Sequence, residues 1–464
     1  MLRDQYAPVD LFALVPALEL RFEPVLADQD RLLEDDELFQ QITADLARRR
    51  PQTPRTGRPS TPVEVILRLL VIQHLYAWSY EQTEHLVNDS LVLRQFCRLG
   101  LEPVPHDTTL LRWANLLQPE TLHQLLDRVT ALAQGLKVTR GRKLRIDSTV
   151  VETAVHYPTD SSLLADGVRV LSRLVDRARD VLKAAAEPCF RNRTRTAKQL
   201  VQRIYATAAV HATRTATAER PELYRRLLQV AQASLQQAEQ VQHRLARWSD
   251  RAAQRLSSDL GRFGPLLGQV CRQTARRVVG GEVVPASEKV ASLFEPHTAV
   301  LRRGKARVPA EFGRTVLLDE VDGGLVSRYA VLVGNPPDAD QLPASLAQHR
   351  ARFGRPPAVL TADRAFPTAA NERLADEQRV RCCAIPKPGA LSPRRRAVER
   401  HRGFRRAYRF RAGVEGRISV LKRRFGLARC RYHGEAGMER WVGLGILAHN
   451  LRQISQALAT RQSA

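Results

Sequence analysis

The chain has few of the features that mark secreted or membrane proteins. Its six cysteines lie scattered, without a CxxC or a Cys/His spacing suited to zinc, so they predict reduced thiols of a cytosolic protein. No apolar stretch approaches the length of a membrane span. The first twenty residues include acids where a signal peptide has a continuous apolar segment. The sequence therefore predicts a cytoplasmic protein with no membrane partner.

Acidic residues are also scarce. The 464 residues include 73 Lys and Arg against 48 Asp and Glu, a formal net charge of +25. Self-repulsion of that size opposes compactness, and it predicts a polyanionic partner, with nucleic acid as the first choice. Arginine is the commoner cation, and its planar fork can bond two phosphate oxygens at once. A GC-rich genome would explain arginine in place of lysine, but not the excess of positive charge.

The first third of the chain is predicted to be helical. Residues 1–59 form a helical lead segment that ends in a basic, proline-rich linker, RRRPQTPRTGRPSTP. Apolar residues then recur at helical spacing through residues 60–135. Two helical units with Arg and Gln on their polar faces suit a DNA-binding or dimerisation domain. An ordinary helical bundle explains the same pattern equally well.

The pattern changes at residues 142–153, where a short β-branched run predicts a strand ending near Asp147. Helical periodicity returns and predicts a helical insertion over residues 165–285. Two strands then follow in residues 315–333, and the sequence Asp322-Gly-Gly between them predicts a hairpin.

Helices and strands alternate in the last third of the chain. The prediction is a helix at 340–352, a strand at 356–363, a helix, a strand in VRCCAIP, a basic loop at 387–407 and a closing helix at 438–458. Residues 140–464, without the insertion, therefore predict an α/β domain. Its sheet has an antiparallel hairpin at one edge and is packed by helices.

Three acidic residues of that domain are candidate metal ligands. Asp147 lies on the first strand, Asp363 at the end of the fourth, and Glu415 on a helix after the last strand. Ligand sites of open α/β sheets gather at strand ends. Oxygen-only ligands suit Mg²⁺ or Mn²⁺, and two such ions can drive a phosphoryl displacement. Taken singly, each acid could equally be a turn, cap or surface residue.

The stretch YRFRAGVEGRISVLK places one acid in a basic tract. Read as a helix, it carries Tyr408, Arg411, Glu415 and Lys422 on one face, because they are separated by three, four and seven residues. A face of that composition is not a core stripe. It indicates a polar surface that meets a ligand.

These segments resemble the DDE transposases of bacterial insertion sequences. The resemblance is carried by IDSTVVETAVHYPTDSSLLADGVRVL, by LTADRAF, and by the signature Tyr-x2-Arg-x3-Glu-x6-Lys, which matches at every fixed position. It covers most of the chain outside the insertion. One departure is Ala365-Phe366, where the family often has Gly-Tyr after Asp-Arg. The resemblance implies an RNase H-like catalytic domain.

It also implies roles for single residues. Asp147, Asp363 and Glu415 would hold two Mg²⁺ or Mn²⁺ ions. The DNA backbone near the cleaved end would be held by Tyr408, Arg411 and Lys422.

The implied activity is metal-dependent DNA cleavage and strand transfer. The implied partners are the terminal inverted repeats of the element, target DNA, and a second copy of the chain bound to paired DNA ends, in the bacterial nucleoid. Two alternatives stay open from the sequence. One is a metal-dependent nuclease of the same fold that cuts without joining, and the other is a DNA-binding protein without activity.

Overall fold

The fold is taken from a computed structural model that describes residues 3–6, 22–48, 60–182, 191–207, 214–302 and 310–462. The predicted linker at 48–62 lies almost wholly outside these ranges. The chain forms two compact units, one of residues 1–154 and 315–464 and one of residues 155–314. The five cysteines that are described carry free thiols.

The strands are β1 (Lys143–Glu152), β2 (Ala299–Leu301), β3 (Glu311–Val321), β4 (Leu325–Val331), β5 (Val359–Thr361) and β6 (Cys382–Ala384). The helices are α1 (Pro24–Leu32), α2 (Asp36–Ala47), α3 (Val63–Leu75), α4 (Tyr80–Asp89), α5 (Leu91–Phe96), α6 (Asp107–Ala114), α7 (Pro119–Gly135), α8 (Asp160–Leu182), α9 (Thr194–Ala206), α10 (Arg214–Leu245), α11 (Arg251–Thr274), α12 (Leu342–Phe353), α13 (Ala369–Glu377), α14 (Pro393–Arg400), α15 (Arg402–Arg424) and α16 (Glu435–Gln462).

The first unit is built on a mixed sheet of order β4-β3-β1-β5-β6. The pairs β1–β5 and β5–β6 are parallel, and β3–β4 is the predicted antiparallel hairpin. Its turn uses Gly323 and Gly324 at positive φ, where a side chain would be strained. The carboxylate of Asp322 accepts hydrogen bonds from the backbone N–H groups of Arg142 and Lys143. This contact ties the hairpin tip to the start of β1.

One hydrophobic core joins this sheet to the N-terminal helices. The long helix α16 packs against α1, α3, α7 and β4, and its apolar side chains belong to the same buried cluster as those of β1 and β3. Helix α3 is buried on every side. Its one arginine, Arg68, is fully buried and is bonded to Glu64 and Asp30. The carboxylates satisfy a cation that would otherwise be costly to bury.

Helix α15 lies against β1, β5 and β6, and α14 packs on it. The prediction of a basic loop at 387–407 is wrong, because α14 and the start of α15 occupy most of these residues. The side chain of Ser392 caps α14 by accepting from the Arg395 backbone N–H, and Pro393 occupies its first position. Arg395 also bonds Glu399 one turn later. These local signals outweigh the high charge.

Strand β1 also differs from its prediction. It was expected to end near Asp147, yet it continues to Glu152, so that Asp147 lies in its middle. The following Thr149, Val150 and Val151 favour extended backbone, and the continuation is fixed by bonds between Glu152 and the segment at Ala428 and Cys430.

The second unit has a core of its own. Helices α8, α10 and α11 pack on one another, and α9 packs against α8 and α10. Gly167 of α8 permits close packing with α11, because a Cβ there would meet Leu267. The short strand β2 pairs antiparallel with residues Glu311–Gly313.

Candidate active site

The structure places Asp147 and Asp363 side by side. Strands β1 and β5 are parallel, with Leu144 opposite Leu360 and Arg145 opposite Thr361. Continuing this register by two residues brings Asp147 level with Asp363, which lies just beyond the end of β5. The side chain of Asp363 accepts from the Ala365 backbone N–H at 2.8 Å.

The carboxyl of Asp147 has a raised pKa. Its residue surface is 8% exposed, and burial raises the pKa of its carboxyl to about 6, with further upward contributions from the charges of Asp363 and Asp338. The Ser148 backbone N–H, which donates to Oδ1 at 2.8 Å, and the Arg411 guanidinium lower the pKa. The carboxylates of Asp147, Asp363 and Asp338 thus lie close together in a partly desolvated site, and this arrangement favours the binding of a cation.

Helix α15 brings the predicted signature to this place. All four signature residues lie on the one helix. The Nη2 of Arg411 is 3.4 Å from Oδ2 of Asp147, and its Nη1 is 3.8 Å from Oε1 of Glu415. The guanidinium therefore contacts both carboxylates. Glu415 has a side chain that is 78% exposed, so packing does not fix its rotamer.

The three predicted metal ligands do not form one closed ligand cluster. Within the described residues, which include all three, their carboxylate oxygens do not all lie within 4.8 Å of one another. The aspartates are neighbours across the sheet, whereas Glu415 is linked to Asp147 through Arg411.

Tyr408 and Lys422 lie at other levels of the same helix. Tyr408 is half-buried, and its ring stacks on Phe404 at a centroid distance of 6.4 Å. Lys422 is half-buried in the last turn. Between them, Gly416 is open, because a Cβ at that position would meet no atom within 4 Å. A polymer could approach this part of the helix backbone closely.

A buried ionic network, which the sequence reasoning missed, anchors α15 on the sheet. Arg145 of β1 donates to both oxygens of Glu320 on β3 and to the backbone carbonyl of Phe410. Arg417 of α15 donates to the same carboxylate at 3.1 Å and to Nε2 of His449 at 3.0 Å. Because these residues are far apart in sequence, no periodicity or spacing connects them.

Two further residues near the aspartates were missed. Asp338 opens a short 3-10 turn, Asp338–Gln341, and its carboxylate accepts from the Ser148 hydroxyl at 3.2 Å. Asn371 of α13 donates from Nδ2 to the carbonyls of Ala339 and Phe366, both at 2.8 Å. It thereby ties the turn of Asp338 to the loop after Asp363. The sequence signal at Asp338 is the pattern Pro-Pro-Asp at residues 336–338, which is typical of a helix start.

One other group of potential ligands occurs in the described part of the chain. It consists of Glu84, His106 and Asp107 at the start of α6. Glu84 accepts from the Asp107 backbone N–H at 2.7 Å, and the His106 ring accepts from that of Thr108. These side chains satisfy the first N–H groups of the helix, which explains their clustering.

Two segments of the chain match known protein families. Residues 22–116 match the transposase domain family DUF772, and residues 316–451 match the transposase DDE domain family. No curated protein and no solved structure gives a significant match. The mixed sheet flanked by helices is the α/β architecture expected for an RNase H-like DDE domain, so the predicted fold class is confirmed.

The matched families define a protein of DNA transposition. The two matches support the predicted DDE transposase of an insertion sequence. The matched DDE domain is that of enzymes that act on DNA. Within the described residues, no helix is long and apolar enough to cross a membrane.

Proposed function

We propose that this transposase binds the terminal inverted repeats of its insertion sequence, cleaves the DNA there and joins the freed 3′ ends to target DNA. In this proposal Asp147, Asp363 and Glu415 are the catalytic carboxylates. The observation that carries it is the closeness of Asp147 on β1 to Asp363 just beyond the neighbouring parallel strand β5, with Arg411 of α15 in contact with Asp147. Water would attack in cleavage, and a 3′-hydroxyl in strand transfer.

The donor set fits a divalent cation. Asp147 and Asp363 offer neighbouring carboxylates, the charge of Asp363 contributes to the raised pKa of Asp147, and oxygen-only donors suit Mg²⁺ or Mn²⁺. Two such ions, when bound, supply activation of the attacking oxygen and stabilisation of the leaving oxygen. Glu415 would complete the set, because its side chain is 78% exposed and, among the described residues, its ion pair is the 3.8 Å contact to Arg411.

The signature residues around Glu415 are proposed to hold the DNA. Arg411 would exchange its carboxylate contacts for a phosphate, since a guanidinium bonds either anion with the same fork geometry. Tyr408 and Lys422 share its helix face and would contact the backbone on either side of the reacting phosphate. The exposed arginines of α15 on the adjoining face raise the local concentration of the polyanion.

The division of labour along the chain is also a proposal. Residues 1–59 are a lead segment and linker, 60–135 bind DNA or a second subunit, and 140–464 form the catalytic domain with its helical insertion at 165–285. A homodimer on paired DNA ends is part of the proposal, because two element ends must be brought together to join one target, and the reaction would take place in the bacterial nucleoid.

A joining assay tests the proposal. Purified protein is incubated with Mg²⁺ and a labelled duplex that carries the inverted repeat bordering its reading frame, together with a supercoiled target plasmid. The expected result is a nicked element end and a covalent end–plasmid product. Nicking without joining would support a nuclease in place of a transposase, and tight binding without nicking would support an inactive DNA-binding protein.

A further inference from the structure

The second unit carries much of the chain's positive charge without a role in the catalytic site. Residues 155–314 include twenty-eight Lys and Arg against fourteen Asp and Glu, which is more than half of the net charge of +25. The bias is strongest between residues 188 and 218, where no acidic residue occurs. Among the described residues of this tract, α9 is the helix that lies wholly inside it, and α10 begins at Arg214.

Helix α9 is amphipathic. Ala197, Leu200 and Ile204 are buried in the core of the second unit. The opposite face exposes a row of polar side chains, Arg195, Lys198, Gln199 and Gln202. These four lie at positions i, i+3, i+4 and i+7, within a sector of about 100° around the helix axis.

The exposed row lacks polar contacts with the part of the chain that the structure describes. Among the described residues, none of its four side chains makes a hydrogen bond or an ion pair. Other exposed arginines of the same unit are neutralised, as Arg225 and Arg226 are by Glu222 and Arg276 is by Glu282. The exposed row, with Arg195 and Lys198 left unpaired among the described residues, is a surface that an anion can occupy without displacing protein contacts.

The start of the helix is bonded to its neighbours. Arg193 donates to Gln237 of α10 at 2.6 Å, and Asn192 donates to Asp176 of α8 at 2.8 Å. The Asn192 side chain in addition accepts from the Thr194 backbone N–H at 3.0 Å. Two neighbouring helices thus fix the entry to α9, so that its exposed face is presented in a defined orientation.

We propose that α9 is a DNA-reading helix that enters the major groove of duplex DNA. Its thirteen residues make a rod about 20 Å long, and a helix fits a groove about 12 Å wide. The spacing i, i+3, i+4, i+7 is the one by which the recognition helix of a homeodomain reads bases. Arg195 and Lys198 suit guanine edges and phosphates, while Gln199 and Gln202 suit adenine.

This inference rests on the proposed action on DNA and assigns sequence reading to the second unit. It can be tested without catalysis, in EDTA, with the full-length protein and a duplex library that has a randomised core. The wild type should enrich one motif. The Gln199→Ala/Gln202→Ala variant should lose its preference for the enriched duplex over a shuffled one by about tenfold or more.

The matched control is Gln232→Ala/Gln236→Ala, which removes two exposed glutamines of α10 and should keep the wild-type motif and preference. A second pair tests the charge. Arg195→Gln/Lys198→Gln should reduce the slope of log affinity against log salt by about 1–2, whereas Arg173→Gln/Arg177→Gln on the exposed side of α8 should not. Equal thermal unfolding of all variants checks folding.

Three outcomes would overturn the inference: no motif enriched by the wild type, an unchanged motif and preference in Gln199→Ala/Gln202→Ala, or tighter binding of single-stranded RNA than of duplex DNA through the same residues. Failure of strand transfer would refute the proposed function alone, because the binding assay in EDTA does not depend on cleavage.

Discussion

The buried network under α15 yields the most quantitative prediction. Glu320 is 1% exposed in its side chain and is bonded to two arginines, Arg145 at 8% and Arg417 at 19% exposure. The substitution Glu320→Gln keeps the shape of the side chain and one acceptor oxygen but removes its charge. Two guanidinium groups then share a buried place with no carboxylate.

Removing one partner of a buried ion pair costs about 3–5 kcal/mol, because the remaining charge is left uncompensated. The lower end applies here, since the retained amide oxygen can still accept and Arg417 also donates to His449. For a unit of this size each kcal/mol shifts the melting temperature by roughly 2–4 °C, so the expected fall is on the order of 5–10 °C.

Thermal unfolding followed by circular dichroism measures the effect, and Glu152→Gln is the matched control. Glu152 also pairs with an arginine, Arg429, at 3.2 Å, but the two side chains are 42% and 60% exposed to solvent. An exposed pair contributes about 0–1 kcal/mol, so the control should melt within about 2 °C of the wild type. Equal melting temperatures for Glu320→Gln and Glu152→Gln would show that the network does not hold α15 in place.

Two further predictions concern the same region. Gly416→Ala should raise the melting temperature, because alanine stabilises a helix by about 1 kcal/mol over glycine and the added Cβ meets open space. Gly413→Ala should raise it less, because its Cβ would lie 2.6 Å from Nη1 of Arg145. Equal gains in melting temperature would contradict this packing. Burial and the Arg417 charge lower the pKa of His449 to about 3, below its ordinary 6.5, so stability should be full above pH 6.5 and fall as the pH drops toward 3. His449→Gln should flatten that fall in melting curves taken across this range, and an unchanged slope would refute the assignment.

The sequence predicted the features that depend on local spacing. The helical face of Tyr408, Arg411 and Glu415 follows from steps of three and four residues, and α15 indeed carries them together. The closeness of Asp147 and Asp363 follows from two strands of one sheet, and their parallel register places them level.

The features that depend on distant partners could not be predicted. Arg145 meets Glu320 from 175 positions away, and no pattern in either segment points to the other. The short helix α14 was not predicted, because its run of arginines resembles a solvated loop. The serine cap and the proline at its first position are the signals that indicate a helix. The four-residue step from Arg411 to Glu415 accounts for their contact, but nothing in the sequence showed that Arg411 would also contact Asp147.

The central claim is that Asp147 and Asp363 form the catalytic pair of a DNA-cleaving enzyme. It is tested most directly by the Mg²⁺-dependent cleavage of the element-end duplex by Asp363→Asn, beside Asp376→Asn as a control from the exposed side of α13. We predict that Asp363→Asn binds the duplex with nearly wild-type affinity and produces no cleaved strand, while the control cleaves normally. Cleavage by Asp363→Asn at the wild-type rate would contradict the account.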